Sequence, residues 1–231
     1  MMPILRKLRL TFIMAGLLPS LLAAAEPGSQ QLSLEGGAAF PTSANHFSDF
    51  AMAGPVAGIQ YLSNWDNSLA WGVQADYYHF GEKTRLLTSP AGGQIEDTSQ
   101  NYAETLEVMG RYTFLPDARF APYIHSGLGV NYFHQKADGT PAAGSTWSDT
   151  NTTESRQLQD VGTVGVSYSI GLGVETNLTQ SLVLGLETAW HIFGVSKTSY
   201  GTGTIDVPTV TMRLGWRFGA KPIETEPTPD N

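Results

Sequence analysis

Two adjacent side chains, His125 and Ser126, are the residue types that a nucleophilic catalyst would need. A serine becomes a nucleophile when a nearby base takes its proton and an acid orients that base. Neighbouring residues on a β-strand point to opposite faces of the sheet, and the alternating pattern around this pair predicts a strand. The two side chains therefore cannot meet in regular geometry. The sequence predicts no catalytic residue and a non-enzymatic protein.

The sequence also gives little support for a metal site or for nucleic-acid binding. The 231-residue chain has no Cys and only five His, which leaves few ligands for a metal ion. His46, His79 and His134 fall toward the outer ends of predicted strands or in a loop, where a metal site is one interpretation and scattered surface histidines are the preferred one. The net charge is −8, without a basic stripe, and phosphate backbones are bound by clustered Lys and Arg. We predict no metal, cofactor or nucleic-acid partner.

Several segments of the sequence alternate between apolar and non-apolar residues, and charged side chains recur at the non-apolar positions. They are Glu35, Asp76, Glu107, Arg111, Glu187 and Arg213. If these positions face the interior of a barrel, these groups need partners, because an isolated buried charge is costly. We predict interior ion pairs that form a structural plug. The alternative is an ion-conducting or gated path.

The order of the predicted strands suggests which charges meet. Folding the seventh strand onto the eighth places Glu187 opposite or diagonal to Arg213, and closing the eighth strand on the first brings Glu35 to a similar height. The same construction places Asp76 near Glu107, with Arg111 close by and beside His125.

Eight segments with period-two alternation must position these side chains. They lie at about Gln31–Phe40, Gly54–Tyr61, Leu69–Phe80, Tyr102–Phe114, Pro122–Phe133, Val161–Thr176, Leu182–Phe193 and Thr209–Phe218. One parity is strongly apolar and the other is small or charged. No long segment has the spacing of an amphipathic helix, so we predict an all-β chain.

Three features favour a membrane barrel over a soluble sandwich. The four lysines after residue 25, Lys83, Lys136, Lys197 and Lys221, fall in predicted loops or in the tail, whereas soluble sheets place Lys along their edges. The polar parity is instead rich in Gly, which suits a narrow barrel interior. Aromatic residues of the apolar parity gather toward both strand ends, as in proteins that cross two membrane interfaces.

The lengths of the connections alternate, as in outer-membrane barrels with short periplasmic turns and long external loops. Short connections are predicted near 62–68, 115–121 and 177–181, and long ones near 41–53, 81–101, 134–160 and 194–208. Both termini are then periplasmic. Because a membrane strand needs about 9 to 11 residues, eight strands is the natural number for this chain.

The two ends of the chain differ from the barrel in composition. Arg6, Lys7 and Arg9 precede an apolar run at 10–22 and three alanines at 23–25, which is the pattern of a signal peptide. The predicted organisation is therefore a signal peptide at 1–25, an outer-membrane barrel at 26–219 and a Pro-rich periplasmic tail at 220–231.

Two stretches resemble a known family. Residues 111–132 run from Arg-Tyr-Thr-Phe-Leu-Pro through a short turn into Pro-Tyr and a Gly-alternating strand, and residues 209–218 end in Trp216 and Phe218. The chain resembles, over about 31–219, the eight-stranded outer-membrane β-barrel family that includes the OmpA-like transmembrane domain and the opacity-type surface proteins. The resemblance implies an eight-stranded antiparallel up-and-down transmembrane β-barrel. It also implies that Trp216 and Phe218 form a signal for the barrel-assembly machinery.

The predicted function is that of a non-enzymatic integral outer-membrane protein whose barrel anchors surface loops, for envelope structure or for recognition and adhesion. Its expected partners are outer-membrane lipid and lipopolysaccharide, the assembly machinery, and a surface ligand bound through the loops at 81–101 and 134–160. The first alternative is a narrow pore or small-molecule transporter resembling OmpW-type barrels. The second is a lipid-modifying barrel enzyme.

Overall fold

The computed structural model describes residues 27–42, 44–88, 93–147, 152–198 and 201–219. The predicted signal peptide at 1–25 and the predicted tail at 220–231 lie outside these ranges. The strands are β1 (Gln30–Ala39), β2 (Gly54–Asn64), β3 (Leu69–Thr88), β4 (Gln94–Thr113), β5 (Ala121–Pro141), β6 (Arg156–Asn177), β7 (Leu182–Thr198) and β8 (Gly201–Phe218). A short 3₁₀ helix, Ala44–Asp49, lies between β1 and β2.

Each strand pairs antiparallel with the next, and β8 returns to pair with β1. The closing ladder runs from Gln30 opposite Phe218 to Ala39 opposite Thr209. Closure leaves the membrane part of the sheet without a free edge. The predicted all-β, eight-stranded, up-and-down barrel is confirmed. Within the described residues, no helix is long and apolar enough to cross a membrane.

The residues that alternate along each strand lie on the inner and outer faces of the barrel in turn. Outward-facing Leu128 and Val164 are 62% and 72% exposed, whereas inward-facing Arg111 and Arg213 are each 2% exposed. An exposed apolar surface that encircles a whole molecule needs a nonpolar solvent. The outer face therefore fits the hydrocarbon of a bilayer.

Aromatic side chains mark the two ends of this apolar band. We call the end that holds Gln30 and Phe218 the terminal end, and the opposite end the distal end. On β4, Tyr112 lies near the terminal end and Tyr102 near the distal end. The ten-residue step between them spans roughly 33 Å along the strand, or about 25 Å in height at a tilt of about 40°, which matches the apolar band of outer-membrane barrels.

The prediction of long loops at 81–101 and 134–160 is wrong over most of their length, although residues 142–147 and 152–155 lie outside the strands. β3 continues to Thr88 and β4 begins at Gln94, while β5 continues to Pro141 and β6 begins at Arg156. Lys83 and Lys136, expected in loops, lie in these strands. Beyond the lipid, the outward face of the sheet contacts water, and the inward face carries buried polar side chains such as Asp97, Ser99 and Gln135. The period-two hydrophobic signal therefore disappears although the backbone ladder continues.

The lumen has a polar half toward the terminal end and an apolar half toward the distal end. The apolar half contains Ala39, Phe47, Ala51, Val56, Tyr78, Phe80, Ala103, Phe133, Phe193, Val195, Ile205 and Val207. The expectation of a small or charged inner face is therefore wrong for the distal half. Large rings fit there because they are fully buried and pack against each other.

A short turn joins β2 to β3 at the terminal end. The Asp66 Oδ1 atom accepts hydrogen bonds from the backbone N–H groups of Ser68 and Leu69, each at 2.7 Å. These two bonds stabilise the charged carboxylate and lower the pKa of Asp66 from its ordinary value. The side chain thus fixes the conformation of this turn.

Candidate functional site

Arg213 is the hub of a buried ion cluster in the polar half of the lumen. Its Nη2 atom donates to Glu35 Oε2 at 2.9 Å and to Glu187 Oε2 at 2.8 Å. Glu35 is directly opposite Arg213 in the closing ladder, whereas Glu187 is diagonal to it. All three side chains are no more than 3% exposed. Both predicted carboxylates therefore contact the same guanidinium.

Tyr123 and His125 on β5 complete this cluster. The Tyr123 hydroxyl donates to Glu187 Oε2 at 2.9 Å and accepts from Arg213 Nη1 at 3.2 Å. His125 Nε2 lies 3.2 Å from Glu187 Oε1. Gly171 makes room for this imidazole, because a Cβ atom at Gly171 would lie 2.1 Å from His125 Nε2. A glycine on the inner face thus admits a bulky polar side chain.

Arg111 belongs to a second ion cluster, closer to the terminal end. It forms a two-pronged pair with Glu175, with distances of 2.9 and 3.3 Å, a geometry in which the guanidinium fork matches the carboxylate. Arg217 Nη2 lies 3.6 Å from Glu175 Oε1, and Arg217 Nη1 donates to Asn177 Oδ1. Glu175 therefore faces two guanidinium groups.

Asp76 and Glu107 are bound mainly by neutral groups. Asp76 lies opposite Thr105, so it is diagonal to Glu107. Gln74 Nε2 donates to both Asp76 Oδ2 and Glu35 Oε1, at 3.0 and 2.9 Å. Ser169 donates to Glu107 Oε2 at 2.5 Å. Amide and hydroxyl groups thus connect the acidic side chains of the lumen.

Sequence reasoning placed all six charged residues on the inner face, but it did not assign Glu175 to Arg111. It also left out Tyr123 and Gln74, and it assigned no partner to Arg217. The sequence did indicate that these residues face inward, because each of them alternates with the lipid-facing positions of its strand. Choosing partners also required the β5–β6 register, which pairs Ala121 with Glu175. Sequence does not specify that register.

The 3₁₀ segment between β1 and β2 closes the distal end of the lumen. Phe47 is fully buried and packs edge-on against Phe80 and Phe133, with ring centroids 5.0 and 5.8 Å apart. Asn101 Nδ2 donates to the Phe50 carbonyl at 2.8 Å, and the Arg85 guanidinium lies over the Phe50 ring at 3.9 Å. The predicted external loop is therefore an inward-folded plug.

The structure separates the two side chains that could have formed a catalytic pair. His125 faces the lumen, whereas Ser126 faces outward and donates to the Tyr168 hydroxyl at 3.4 Å. Of the other histidines considered, exposed His46 lies 3.2 Å from Asp49, and His134 lies 2.7 Å from Asp160. In the described ranges, no group of three or more His, Asp or Glu side chains is arranged to hold a metal ion.

The closed barrel with a lipid-facing band agrees with the sequence family. Residues 11–218 match the family model of the outer membrane protein beta-barrel domain. The chain belongs to this family. It is thus an outer-membrane β-barrel protein, as the resemblance implied.

Solved structures with a similar fold come from several bacteria. Neisserial surface protein A is 11% identical, with a TM-score of 0.53 over 83% of this chain and 99% of that chain. Ail, the attachment invasion locus protein of Yersinia pestis, is 14% identical, with a TM-score of 0.46 over 83% and 99%. OprG from Pseudomonas aeruginosa is 14% identical, with a TM-score of 0.46 over 86% and 100%. No curated protein sequence matches this chain.

Trp216 and Phe218 lie on the lipid-facing side of β8 in this outer-membrane barrel. They are 62% and 40% exposed and lie opposite Leu32 and Gln30 of β1. The two rings are thus at the strand that closes the barrel and at its terminal end. Their role as an assembly signal stays a prediction.

Proposed function

We propose that this protein is a non-enzymatic, non-conducting outer-membrane anchor that presents a β-sheet beyond the outer surface for recognition, with its termini in the periplasm. The length of strands β3 to β6 carries this proposal. They contain 20, 20, 21 and 22 residues, about twice the 9 to 11 that a membrane strand needs. β1 and β2 contain only 10 and 11.

The projecting sheet is supported by side-chain contacts beyond the apolar band. Arg85 Nε donates to Asp97 Oδ2 at 2.7 Å, and Thr84 and Thr98 bond across β3 and β4 at 3.0 Å. Lys136 lies 3.1 Å from Asp138 on β5. Binding functions concentrate on segments that a rigid scaffold holds in place. A paired sheet is a more rigid recognition surface than the loops expected from sequence.

The filled lumen supports the non-conducting part of the proposal over the pore. Ion clusters occupy the polar half, and Phe47 packs among the rings of the distal half. An ion would have to cross a layer of buried aromatic rings as well as the ion pairs, and transfer of a charge into such surroundings is costly. The separation of His125 from Ser126 supports a non-enzymatic role over the lipid-modifying enzyme.

Orientation and surface presentation are tested with two epitope insertions. One epitope is placed between Thr88 and Gly93, and a matched one between Asn67 and Ser68 in the turn at the terminal end. We expect antibodies to label intact cells only through the first insertion and permeabilised cells through both. Labelling of intact cells only through the second insertion would show that the barrel is oriented the other way.

Conduction is tested in planar bilayers with protein whose folded state is verified by heat-modifiable gel migration. We expect no discrete current steps from the wild type. Regular steps from folded protein would overturn the non-conducting assignment and support the pore.

Recognition is tested by shortening one projecting hairpin. Lys83 and Ser99 are paired, so residues 84–98 can be replaced by Asn-Gly, a favoured two-residue hairpin turn. Vesicles carrying either protein are applied to arrays of glycans and matrix proteins. We expect binding that the wild type shows to be lost with the short hairpin. Binding that is equal for both proteins would place recognition elsewhere.

A further inference from the structure

Two buried carboxyl groups converge above a glycine on the inner wall of the barrel. Glu35 of β1 and Asp76 of β3 are both directly opposite Gly58 of β2, so the three residues lie at one height. A Cβ atom at Gly58 would lie 2.9 Å from Glu35 Oε1 and 2.0 Å from Asp76 Oδ1. Gly58 thus leaves the space in which the two oxygen atoms face each other. Two ionised carboxylates would repel each other strongly here, because both side chains are buried.

The contacts of Glu35 identify it as the ionised member of this pair. Arg213 Nε and Nη2 both donate to Glu35 Oε2, at 3.2 and 2.9 Å, and hydrogen bonds from a guanidinium group favour a charged carboxylate. Gln74 Nε2 donates to the other oxygen, Glu35 Oε1, at 2.9 Å. A carboxylate oxygen has two lone pairs, so Glu35 Oε1 can accept a second hydrogen bond from the direction of Asp76.

The contacts of Asp76 match those of a neutral carboxylic acid. Its Oδ2 atom accepts hydrogen bonds from Gln74 Nε2 at 3.0 Å and from the hydroxyls of Tyr78 and Thr105 at 3.3 and 3.4 Å, as the carbonyl oxygen of an acid would. Its Oδ1 atom is buried and receives no hydrogen bond from the described residues. A buried acceptor without a donor is costly. A protonated Oδ1 is instead a donor, and it faces Glu35 Oε1.

The charged groups around this pair do not supply Asp76 with a cation. The titratable and charged groups nearby are Glu107 on β4, Tyr78 on β3, His191 on β7 and Arg213 on β8. Glu107 accepts a hydrogen bond from Ser169 at 2.5 Å, the length of a hydroxyl bond to a charged oxygen, so it adds negative charge. Arg213 already contacts two other carboxylates. Among the residues that the structure describes, no Arg, Lys or His forms an ion pair with Asp76.

We propose that Asp76 holds a proton in the folded barrel and donates it from Oδ1 to Glu35 Oε1. Asp76, predicted as a member of an ion pair, is then a neutral hydrogen-bond donor, and the two carboxyl groups carry one negative charge instead of two. In the unfolded chain an aspartic acid releases its proton above about pH 3.9. Folding at neutral pH therefore takes up one proton, so the barrel loses stability as the pH rises. The pair lies inside the lumen, and its proton is independent of the membrane orientation.

Infrared spectroscopy of folded protein in detergent micelles at neutral pH detects this proton directly. Exposed carboxyl groups are ionised at this pH, so the carbonyl stretch of a protonated carboxyl group reports a buried acid. We expect this band in the wild type, a shift of the band when aspartate carboxyl groups carry carbon-13, and its loss in Asp76→Asn. Glu107→Gln is the matched control and should keep the band. A wild type without the band, or a band that is lost only in Glu107→Gln, would overturn the proposal.

Urea-driven unfolding in lipid vesicles between about pH 6 and 8 measures the proton uptake. In Asp76→Asn an amide takes the place of the neutral acid, so it can still donate to Glu35 and accept from Gln74. Comparison of the two proteins cancels the titration of the histidines. We expect the wild-type unfolding constant to rise relative to that of Asp76→Asn by about tenfold per pH unit, the effect of one proton bound on folding. A constant ratio would overturn the proposal, as would a ratio that follows sodium or calcium concentration instead of pH, because a cation would then join the two carboxylates.

Discussion

At the scale of single residues, the lumen shows how a buried charge is tolerated when several partners share it. Arg213 contacts two carboxylates and a tyrosine hydroxyl, all inside the barrel. Burying charges costs free energy that only close geometry and further hydrogen bonds offset. The two glutamates and the arginine therefore depend on each other. Removing one partner should cost more than removing a matched pair.

We predict that Arg213→Ala destabilises the barrel by about 3 to 5 kcal/mol, because Glu35 and Glu187 lose their cation while they remain buried. Urea-driven unfolding in lipid vesicles measures the loss. Adding Glu187→Gln in the same chain should restore part of the stability, because it removes one unpaired charge. An unchanged unfolding curve in Arg213→Ala, together with altered conductance, would show that Arg213 lines a conducting path.

A second residue-scale prediction concerns the turn at Asp66. Asp66→Ala removes the acceptor of two backbone hydrogen bonds and should lower stability at neutral pH. Because the folded state lowers the pKa of Asp66, this contribution is present above the unfolded value of about 3.9 and is lost as the pH falls through the folded pKa. Urea midpoints of the wild type and the variant should therefore converge in acid. Asp66→Asn retains an acceptor oxygen and should lack this pH dependence.

At the scale of elements, β8 has two roles because it is both the last strand and the one that closes the ring. Its inner face supplies Arg213 and Arg217 to the ion clusters, and its outer face presents Trp216 and Phe218 to lipid. Closure requires β8 to find β1, the strand most distant in sequence, and such long-range pairing is slow. This is the strand on which the resemblance predicts the assembly signal.

We predict that Phe218→Ala lowers the amount of protein in the outer membrane severalfold, as the terminal-signal resemblance implies. Quantitative blotting of membrane fractions measures the amount. The control is Trp71→Ala, which removes a lipid-facing ring, 53% exposed, from β3. Equal losses in both variants would indicate a general need for interface rings, and unchanged insertion of Phe218→Ala would contradict the assembly role.

At the scale of the whole molecule, the barrel lies partly in the membrane and partly in water. Within the band its outer face contacts hydrocarbon, and beyond the band the same strands continue into water. Position along a strand therefore decides which residues are tolerated on the outer face. β5 offers a direct comparison, because Leu128 and Thr140 share its outward parity but lie within and beyond the band.

We predict that Leu128→Arg destabilises the protein in vesicles by about 2 to 4 kcal/mol, the cost of a lipid-facing arginine near the middle of a bilayer. Thr140→Arg should leave the unfolding free energy nearly unchanged, because its side chain remains in water. Folded protein is monitored by the gel mobility of unboiled samples. Equal effects of the two substitutions would contradict the assigned membrane position.

The sequence by itself determined the fold and the facing of its residues, because period-two hydrophobicity is set by which side of each strand meets lipid. Tertiary structure alone decided the pairing of Arg111 with Glu175, since that contact depends on the register between β5 and β6. It also decided that residues 81–88, 94–101, 134–141 and 156–160 are strands, because polar side chains on both faces leave no hydrophobic period. The folding of Phe47 into the lumen was equally hidden, since an aromatic residue in a polar segment has no sequence signature until the rings of β3 and β5 pack against it.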